Sequence, residues 1–183
     1  MQRMRKIRRI EEKKMKIAVA GTGYVGLVTG VCLAHKGHQV TCVDINEEKV
    51  AMMSRGESPI YEPGLPELMK KSMEHLCFTT DYRDAYRDAE VIFIGVGTPE
   101  KSDGSANLAY VYEAAKQIAQ SVERDCVVVL KSTVPIGTND KIESYIHDKQ
   151  VNDVKIYVAS NPEFLSQGTA VHDTLYASRI VIG

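Results

Sequence analysis

The stretch Gly21-Thr22-Gly23-Tyr24-Val25-Gly26 constrains this chain more than any other, because it lies between an apolar run, Ile17 to Ala20, and a helical pattern that opens at Tyr24. It reads as a strand, a tight glycine turn and a helix. In that setting Gly21 permits the turn, Gly23 lets backbone approach a pyrophosphate, and Gly26 lets the helix pack close to the strand. The helix N-terminus then points free N–H groups and the positive end of its dipole at the phosphates. Glycine turns are common, so context has to separate this one from a plain strand-to-helix turn. A second apolar run, Gln39 to Val43, closes on Asp44, near the ~20-residue spacing expected of the acid that holds an adenosine ribose. A carboxylate there accepts both ribose hydroxyls and repels a 2′-phosphate, which predicts NAD over NADP. Lys49 is the nearby cation that could blur the preference.

The same alternation continues along the chain. Small residues at Gly26, Gly30 and Ala34 give the first helix a smooth face able to lie on a sheet, and Gly37 ends it. His35 and His38 flank that end and are expected at the surface. Asn46 is the expected N-cap of a helix through Met53, with Met52 and Met53 assigned to the core. Gly56 to Pro66 reads as a proline-rich loop in which Pro63-Gly64 is a turn, and a helix is expected to begin after it. Strands are predicted over Leu76 to Thr79, Val91 to Gly95, Cys126 to Leu130, Lys155 to Ala159 and Arg179 to Gly183. Helices are predicted around Tyr82 to Arg87, from Leu108 to Val122 and from Thr138 to His147. This βαβα order predicts an α/β fold with a doubly wound, mostly parallel sheet.

Three polar segments then fall at the C-terminal edge of that sheet, where such folds place ligands. They are Val96-Gly97-Thr98-Pro99, Lys131-Ser132-Thr133-Val134-Pro135 and Ser160-Asn161-Pro162-Glu163-Phe164-Leu165. Ser132 and Thr133 are assigned to function over the alternative of capping the helix after Pro135. Glu163 is open to two roles, a general base or an acceptor for neighbouring backbone N–H groups.

Composition excludes several classes of function. The 183 residues are 44% hydrophobic and 26% charged, as in one globular domain, and a net charge of −1 offers no field to attract nucleic acid or an anionic membrane. Cys32, Cys42, Cys77 and Cys126 show no metal-ligand spacing and fall in or beside apolar runs, so buried free thiols in a reducing compartment are expected. No metal site is predicted. No apolar run approaches ~18 residues and no signal-peptide pattern occurs, so a cytoplasmic protein off the membrane is expected. Residues 1–14 form a basic extension, with seven cations against Glu11 and Glu12. It is read as an upstream start ahead of a beginning at Met15, against the alternative of a segment that binds an anionic surface. The domain proper is assigned to residues 15–183. Because the chain stops within a predicted strand, it is expected to be a fragment.

Five motifs together carry a resemblance: Met15 to Leu27, Tyr61-Glu62-Pro63-Gly64-Leu65, Val96 to Pro99, Lys131 to Pro135, and Asn161 to Leu165. Their order and spacing resemble the N-terminal, NAD-binding half of the UDP-glucose/GDP-mannose dehydrogenase family, a Rossmann-type domain, over nearly the whole chain. Within the family they look like UDP-glucose 6-dehydrogenases, although the motifs are less specific for the particular sugar than for the group. Dehydrogenases of GDP-mannose or of UDP-N-acetyl-amino sugars are the alternatives, and a non-catalytic NAD-binding module is the rival class.

The family oxidises a sugar's primary alcohol to a carboxylate by two NAD-dependent hydride transfers, through a thioester on a cysteine. The resemblance implies that Asp44 and Lys49 hold the adenosine ribose, and that Val96, Gly97, Thr98, Pro99, Glu100, Ser132, Thr133 and Val134 line the dinucleotide site with the glycine turn. It implies that Thr133 positions a catalytic water, that Glu163 is an acid or base, and that Glu163, Phe164 and Leu165 lie along a nucleotide sugar such as UDP-glucose. Gln167 stands where the family usually has a second glutamate, in a site next to the cofactor, and an amide cannot take a proton. The family's nucleophilic cysteine motif, central helix and sugar-nucleotide domain have no counterpart in these residues. The expectation is a chain that binds NAD without turnover and is monomeric, where the complete family enzyme is a homodimer.

Overall fold

The computed structural model describes residues 13–183. The basic extension assigned to residues 1–14 lies outside the described residues except for Lys13 and Lys14, and Lys13 Nζ pairs with Glu90 at 2.6 Å.

Alternating apolar runs and capped helices produce the elements in order: β1 (Lys16–Ala20), α1 (Tyr24–His35), β2 (Gln39–Val43), α2 (Glu47–Ser54), α3 (Leu65–Ser72), a 3-10 turn at Met73–His75, β3 (Leu76–Thr79), α4 (Tyr82–Arg87), β4 (Val91–Ile94), α5 (Ala109–Ser121), β5 (Cys126–Leu130), α6 (Thr138–Lys149), β6 (Ile156–Ser160) and α7 (Ala170–Leu175). The helix starts follow from local chemistry. Asn46 Oδ1 accepts the Lys49 N–H at 2.9 Å, and Asp81 Oδ1 accepts those of Arg83 and Asp84 at 3.0 and 3.1 Å, satisfying donors that the first turn leaves free. Gly37 sits just past α1 with φ +89°, the left-handed conformation that ends a helix.

The strands form one sheet of order β3-β2-β1-β4-β5-β6 with every pairing parallel. Strand side chains alternate between its faces, and both faces are covered. Ala18, Ala20, Ile92 and Ile94 pack with α4, α5 and α6, whereas Ile17, Val19 and their neighbours pack with α1, α3 and α7. The direction of strand addition reverses between β1 and β4, and a crevice opens at that point. Helix α1 lies close on the sheet because its small residues permit it: a Cβ on Gly30 would stand 2.6 Å from Cys42 Sγ.

Some elements differ from expectation. Helix α3 begins at Leu65 and takes in Pro66, since proline is tolerated in a first turn whose N–H groups have no helical partner. Helix α7 has no counterpart among the predicted elements; its six residues are too few for a periodic signal. Residues 179–183 are not a strand: only Gly183 exchanges backbone hydrogen bonds with Ser160, at 2.7 and 3.0 Å, and Ile180 and Ile182 are exposed. Cys32, Cys42 and Cys126 are buried free thiols, but Cys77 is exposed, because β3 is an edge strand. Met53 is core and Met52 only half-buried; His35 is exposed, and half-buried His38 accepts the Met15 N–H through Nδ1 at 3.3 Å.

Candidate functional site

The segments that follow β1, β2 and β4 converge at the reversal point and bound a crevice of ≈ 560 Å³, lined by Gly21, Thr22, Gly23, Asp44, Lys49, Val96 and Gly97 among others. Backbone contact builds its floor. Gly21 adopts φ +92° and donates its N–H to Val43 O at 2.8 Å, and a Cβ there would meet Val96 Cγ1 at 2.9 Å. A Cβ on Gly26 would lie 2.0 Å from Gly21 O, and one on Gly95 would lie 2.9 Å from Gly26 Cα. Turn, helix and β4 end are therefore packed as tightly as backbone allows. Gly23 is the opposite case, with nothing within 4 Å of where a Cβ would stand. It is also the N-cap of α1, which no side chain caps. The crevice thus meets an uncapped helix N-terminus across open space, an arrangement suited to an anion.

Asp44 stands at the mouth with its carboxylate fixed on both sides. Its Oδ1 accepts the Asn46 N–H at 3.0 Å, and its Oδ2 accepts the Thr22 N–H at 3.2 Å and the Thr22 hydroxyl. The acid is thereby tied to the glycine turn itself. Residues not anticipated from sequence complete the walls, among them Ile45, 85% exposed beside Asp44, and Tyr110, 53% exposed on α5. An apolar side chain directly after a strand-end acid, with nothing to bury it, was the available signal for Ile45. Tyr110 carried none until α5 was placed.

The other expected residues fall into distinct places. Thr98 and Thr133 join the turns after β4 and β5, the Thr98 hydroxyl donating to Thr133 O at 3.0 Å. Ser132 is buried beneath this edge, its hydroxyl donating to Val96 O at 2.7 Å. Neither Ser132 nor Thr133 caps a helix, since α6 begins at Thr138 behind Gly137. Val134 packs against the core; Pro99 and Glu100 are exposed, and Glu100 forms a bridge with Ala106. Val25 and Gly26 lie below the crevice in α1.

Across the sheet, a cavity of ≈ 280 Å³ is lined by Lys131, Asn161, Glu163, Phe164 and Leu165 together with Thr29 and Leu33 of α1. Lys131 Nζ donates to Asn161 Oδ1 at 3.3 Å; burial lowers its pKa from the ordinary lysine value, opposed by the Glu163 charge. Glu163 Oε2 accepts the Leu165 N–H at 2.7 Å, and the Arg179 guanidinium sits 5.0 Å from the Phe164 ring centroid. Gln167 is exposed. Part of the expected set thus lines the crevice by the glycine turn and part the cavity by Glu163, while Thr98 to Glu100, Ser132 to Val134 and Gln167 line neither.

Tyr24 belongs to neither group: its hydroxyl donates to Glu62 Oε2. Glu62 is 1% exposed and also accepts the Gly168 and Ala170 N–H groups, each at 2.8 Å. Burial pushes its carboxyl up, and these donors outweigh that and hold it below the usual glutamate range. Burial, followed by the Glu62 contact, pushes the Tyr24 phenol up to about 12. Among the described residues no cluster of three or more His, Cys, Asp or Glu is placed to hold a metal ion, and no helix is long and apolar enough to cross a membrane.

A parallel sheet in this order, with a glycine turn, an uncapped helix and a strand-end acid at its reversal, defines a dinucleotide-binding domain of the doubly wound class. The NAD binding domain of the UDP-glucose/GDP-mannose dehydrogenase family matches residues 15–183. The chain belongs to that family. It is 56% identical over 171 residues to UDP-glucose 6-dehydrogenase YwqF of Bacillus subtilis (strain 168), covering 92% of this chain and 39% of that protein. It is 45% identical to UDP-glucose 6-dehydrogenase of Pseudomonas aeruginosa, covering 92% and 38%. Among solved structures, a UDP-glucose dehydrogenase from Pyrobaculum islandicum superposes with a TM-score of 0.90 at 38% identity, covering 95% of this chain and 41% of that one. A ternary complex of GDP-mannose dehydrogenase from Pseudomonas aeruginosa does so with a TM-score of 0.86 at 38% identity, covering 92% and 41%. The chain spans about two fifths of the length of these relatives.

Proposed function

We propose that residues 15–183 form the cofactor half of a nucleotide-sugar 6-dehydrogenase acting on UDP-glucose, with NAD preferred over NADP. The observation that carries the reading is the Asp44 carboxylate, held by Thr22 and Asn46 at a crevice that the open Gly23 turn also lines. The residues fit the cofactor. Gly23 leaves a space that a Cβ would fill, α1 presents uncapped N–H groups to a pyrophosphate, and Asp44 accepts the two ribose hydroxyls while repelling a 2′-phosphate. Lys49 stands at the ribose end, and Ile45 and Tyr110 offer apolar surface to the adenine.

Bound NAD supplies the hydride acceptor. On the protein side, Thr98 braces the Thr133 segment, and Thr133 orients a water at the sheet edge. Glu163 moves a proton at the sugar's primary alcohol, with Phe164 and Leu165 along the nucleotide sugar. Gln167 can donate and accept hydrogen bonds beside the cofactor but cannot serve as a second acid or base. The thioester chemistry of the family needs a cysteine motif that these residues do not contain, so the chain binds NAD without turnover. The buried, unpaired thiols of Cys32, Cys42 and Cys126 fit a reducing cytoplasm. We take the described domain to be monomeric.

Thermal unfolding with saturating NAD, NADP or UDP-glucose tests the reading. A ligand present at ~100 times its Kd stabilises the fold by about 2.7 kcal/mol, which for a domain of this size raises the midpoint by roughly 5–11 °C. NAD is expected to do so, and NADP and UDP-glucose are not. An equal or larger rise with NADP would overturn the Asp44 assignment.

A further inference from the structure

Residues 162–170 run from just beyond Asn161, which follows β6, into the first residue of α7; they carry Glu163, Phe164 and Leu165, and most of their polar contacts are local. Glu163 accepts the Leu165 N–H at 2.7 Å, Thr169 N donates to Ser166 O at 3.1 Å, and Asp173 Oδ2 accepts the Thr169 hydroxyl at 2.7 Å. Among the described residues, the hydrogen bonds that tie this segment to a distant part of the chain are the two from Gly168 and Ala170 to Glu62, across 106 and 108 positions. Glu62 is itself held by the Tyr24 hydroxyl, from the first residue of the helix that opens on the crevice. One buried carboxylate therefore joins three elements: the glycine-turn helix, the loop before α3, and the Glu163 segment. Three donors also give each oxygen of the carboxylate a partner, as a charge at 1% exposure requires.

We propose that Glu62 is a positioning residue, which fixes the segment from Glu163 to Gly168 relative to the cofactor helix through Gly168 and Ala170 on one side and Tyr24 on the other. This rests on the reading of Glu163 as the residue that meets substrate. It gives the Tyr61-Glu62-Pro63-Gly64-Leu65 stretch a role that turn chemistry does not. Gly64, in the left-handed region at φ +78°, ends the loop and starts α3, and the loop fold turns Glu62 inward while Tyr61 remains 92% exposed. Ala170, 0% exposed, anchors α7 to the core by packing, so Glu62 sets the placement of the residues ahead of it and not the existence of the helix.

Backbone amide hydrogen exchange on the chain, read residue by residue beside NAD affinity, tests this. Glu62→Ala is expected to raise exchange at Gly168 and Ala170 at least tenfold and to leave NAD affinity within about twofold, because the Asp44 crevice is untouched. Glu62→Gln supplies one acceptor in place of two, so one of the two amides recovers protection and the other does not; a merely space-filling role would restore both. Tyr24→Phe removes one donor without emptying the core and keeps the test open should Glu62→Ala not fold; a two- to fivefold rise at Gly168 is expected. Unchanged exchange at Gly168 and Ala170 in the variants would overturn the proposal. Loss of NAD binding by the unaltered chain would instead overturn the functional reading on which the proposal rests.

Discussion

Two glycines three positions apart are expected to fail in opposite ways when each is replaced by alanine. At Gly26 the added methyl would stand 2.0 Å from Gly21 O, and backbone cannot yield as a flexible side chain does. Forced overpacking of this kind costs typically about 1–3 kcal/mol. For a domain of this size that lowers the thermal midpoint by roughly 2–12 °C. At Gly23 the methyl meets nothing within 4 Å, and the backbone, at φ −67° and ψ −172°, suits alanine. Alanine is a poorer N-cap than glycine but loses less entropy on folding, two effects of under about 1 kcal/mol each that oppose one another. The Gly23→Ala midpoint should therefore stay within about 3 °C of the parent. Its methyl instead occupies the space assigned to the pyrophosphate. If the same ~1–3 kcal/mol of crowding falls on the ligand, NAD affinity drops about 5- to 150-fold. Differential scanning fluorimetry without ligand and isothermal titration with NAD give the two readouts. A Gly23→Ala chain that binds NAD as tightly as the parent would refute the placement of the phosphates, and a Gly26→Ala chain of undiminished stability would refute the packing argument.

Asp44→Ser should weaken NAD at least tenfold and narrow or reverse its advantage over NADP, since the charge that repels a 2′-phosphate is gone; parallel titrations with both nucleotides check this. The native chain should show one thiol that reacts rapidly with an aromatic disulfide, Cys77, and three more on denaturation. Burial withdraws the others and pushes the Cys32 and Cys42 thiols up to about 12 and Cys126 to about 11. Glu62 should contribute to acid stability with a definite sign. Its folded carboxyl titrates below its ordinary value, so its contribution is complete above the unfolded pKa of about 4.3 and is lost as pH falls through the lower folded value. Thermal midpoints measured from pH 7 down to about pH 3 should fall more steeply below about pH 4 for the parent than for Glu62→Gln, and parallel curves would refute the linkage.

The sequence alone determined the sheet and the crevice, because both depend on short-range rules. Strand and helix periods, the Asn46 and Asp81 caps and Gly37 operate within a few residues, so β1 to β6 and most helices were legible. The placement of Gly21, Gly23, Gly26 and Asp44 was legible for the same reason: the turn after β1, the start of α1 and the residue closing β2 are set by neighbours in the chain. Tertiary structure decided what depends on residues far apart in the chain. That Cys77 is exposed follows from β3 ending up at the sheet edge, which no property of its own apolar run reveals. The 179–183 run is apolar and β-branched, yet only Gly183 finds a backbone partner, so propensity alone could not make it a strand. That Glu163, Phe164 and Leu165 line a cavity separate from the Asp44 crevice became visible only once α1 was laid over the sheet. Glu62 shows the limit most plainly. In sequence it is one acid in a proline-glycine turn, where acids are ordinarily solvated. Its burial is tolerable because the Tyr24 hydroxyl, and Gly168 and Ala170 more than a hundred residues later, bring donors to it, and a carboxylate's environment is set by the donors that reach it in space.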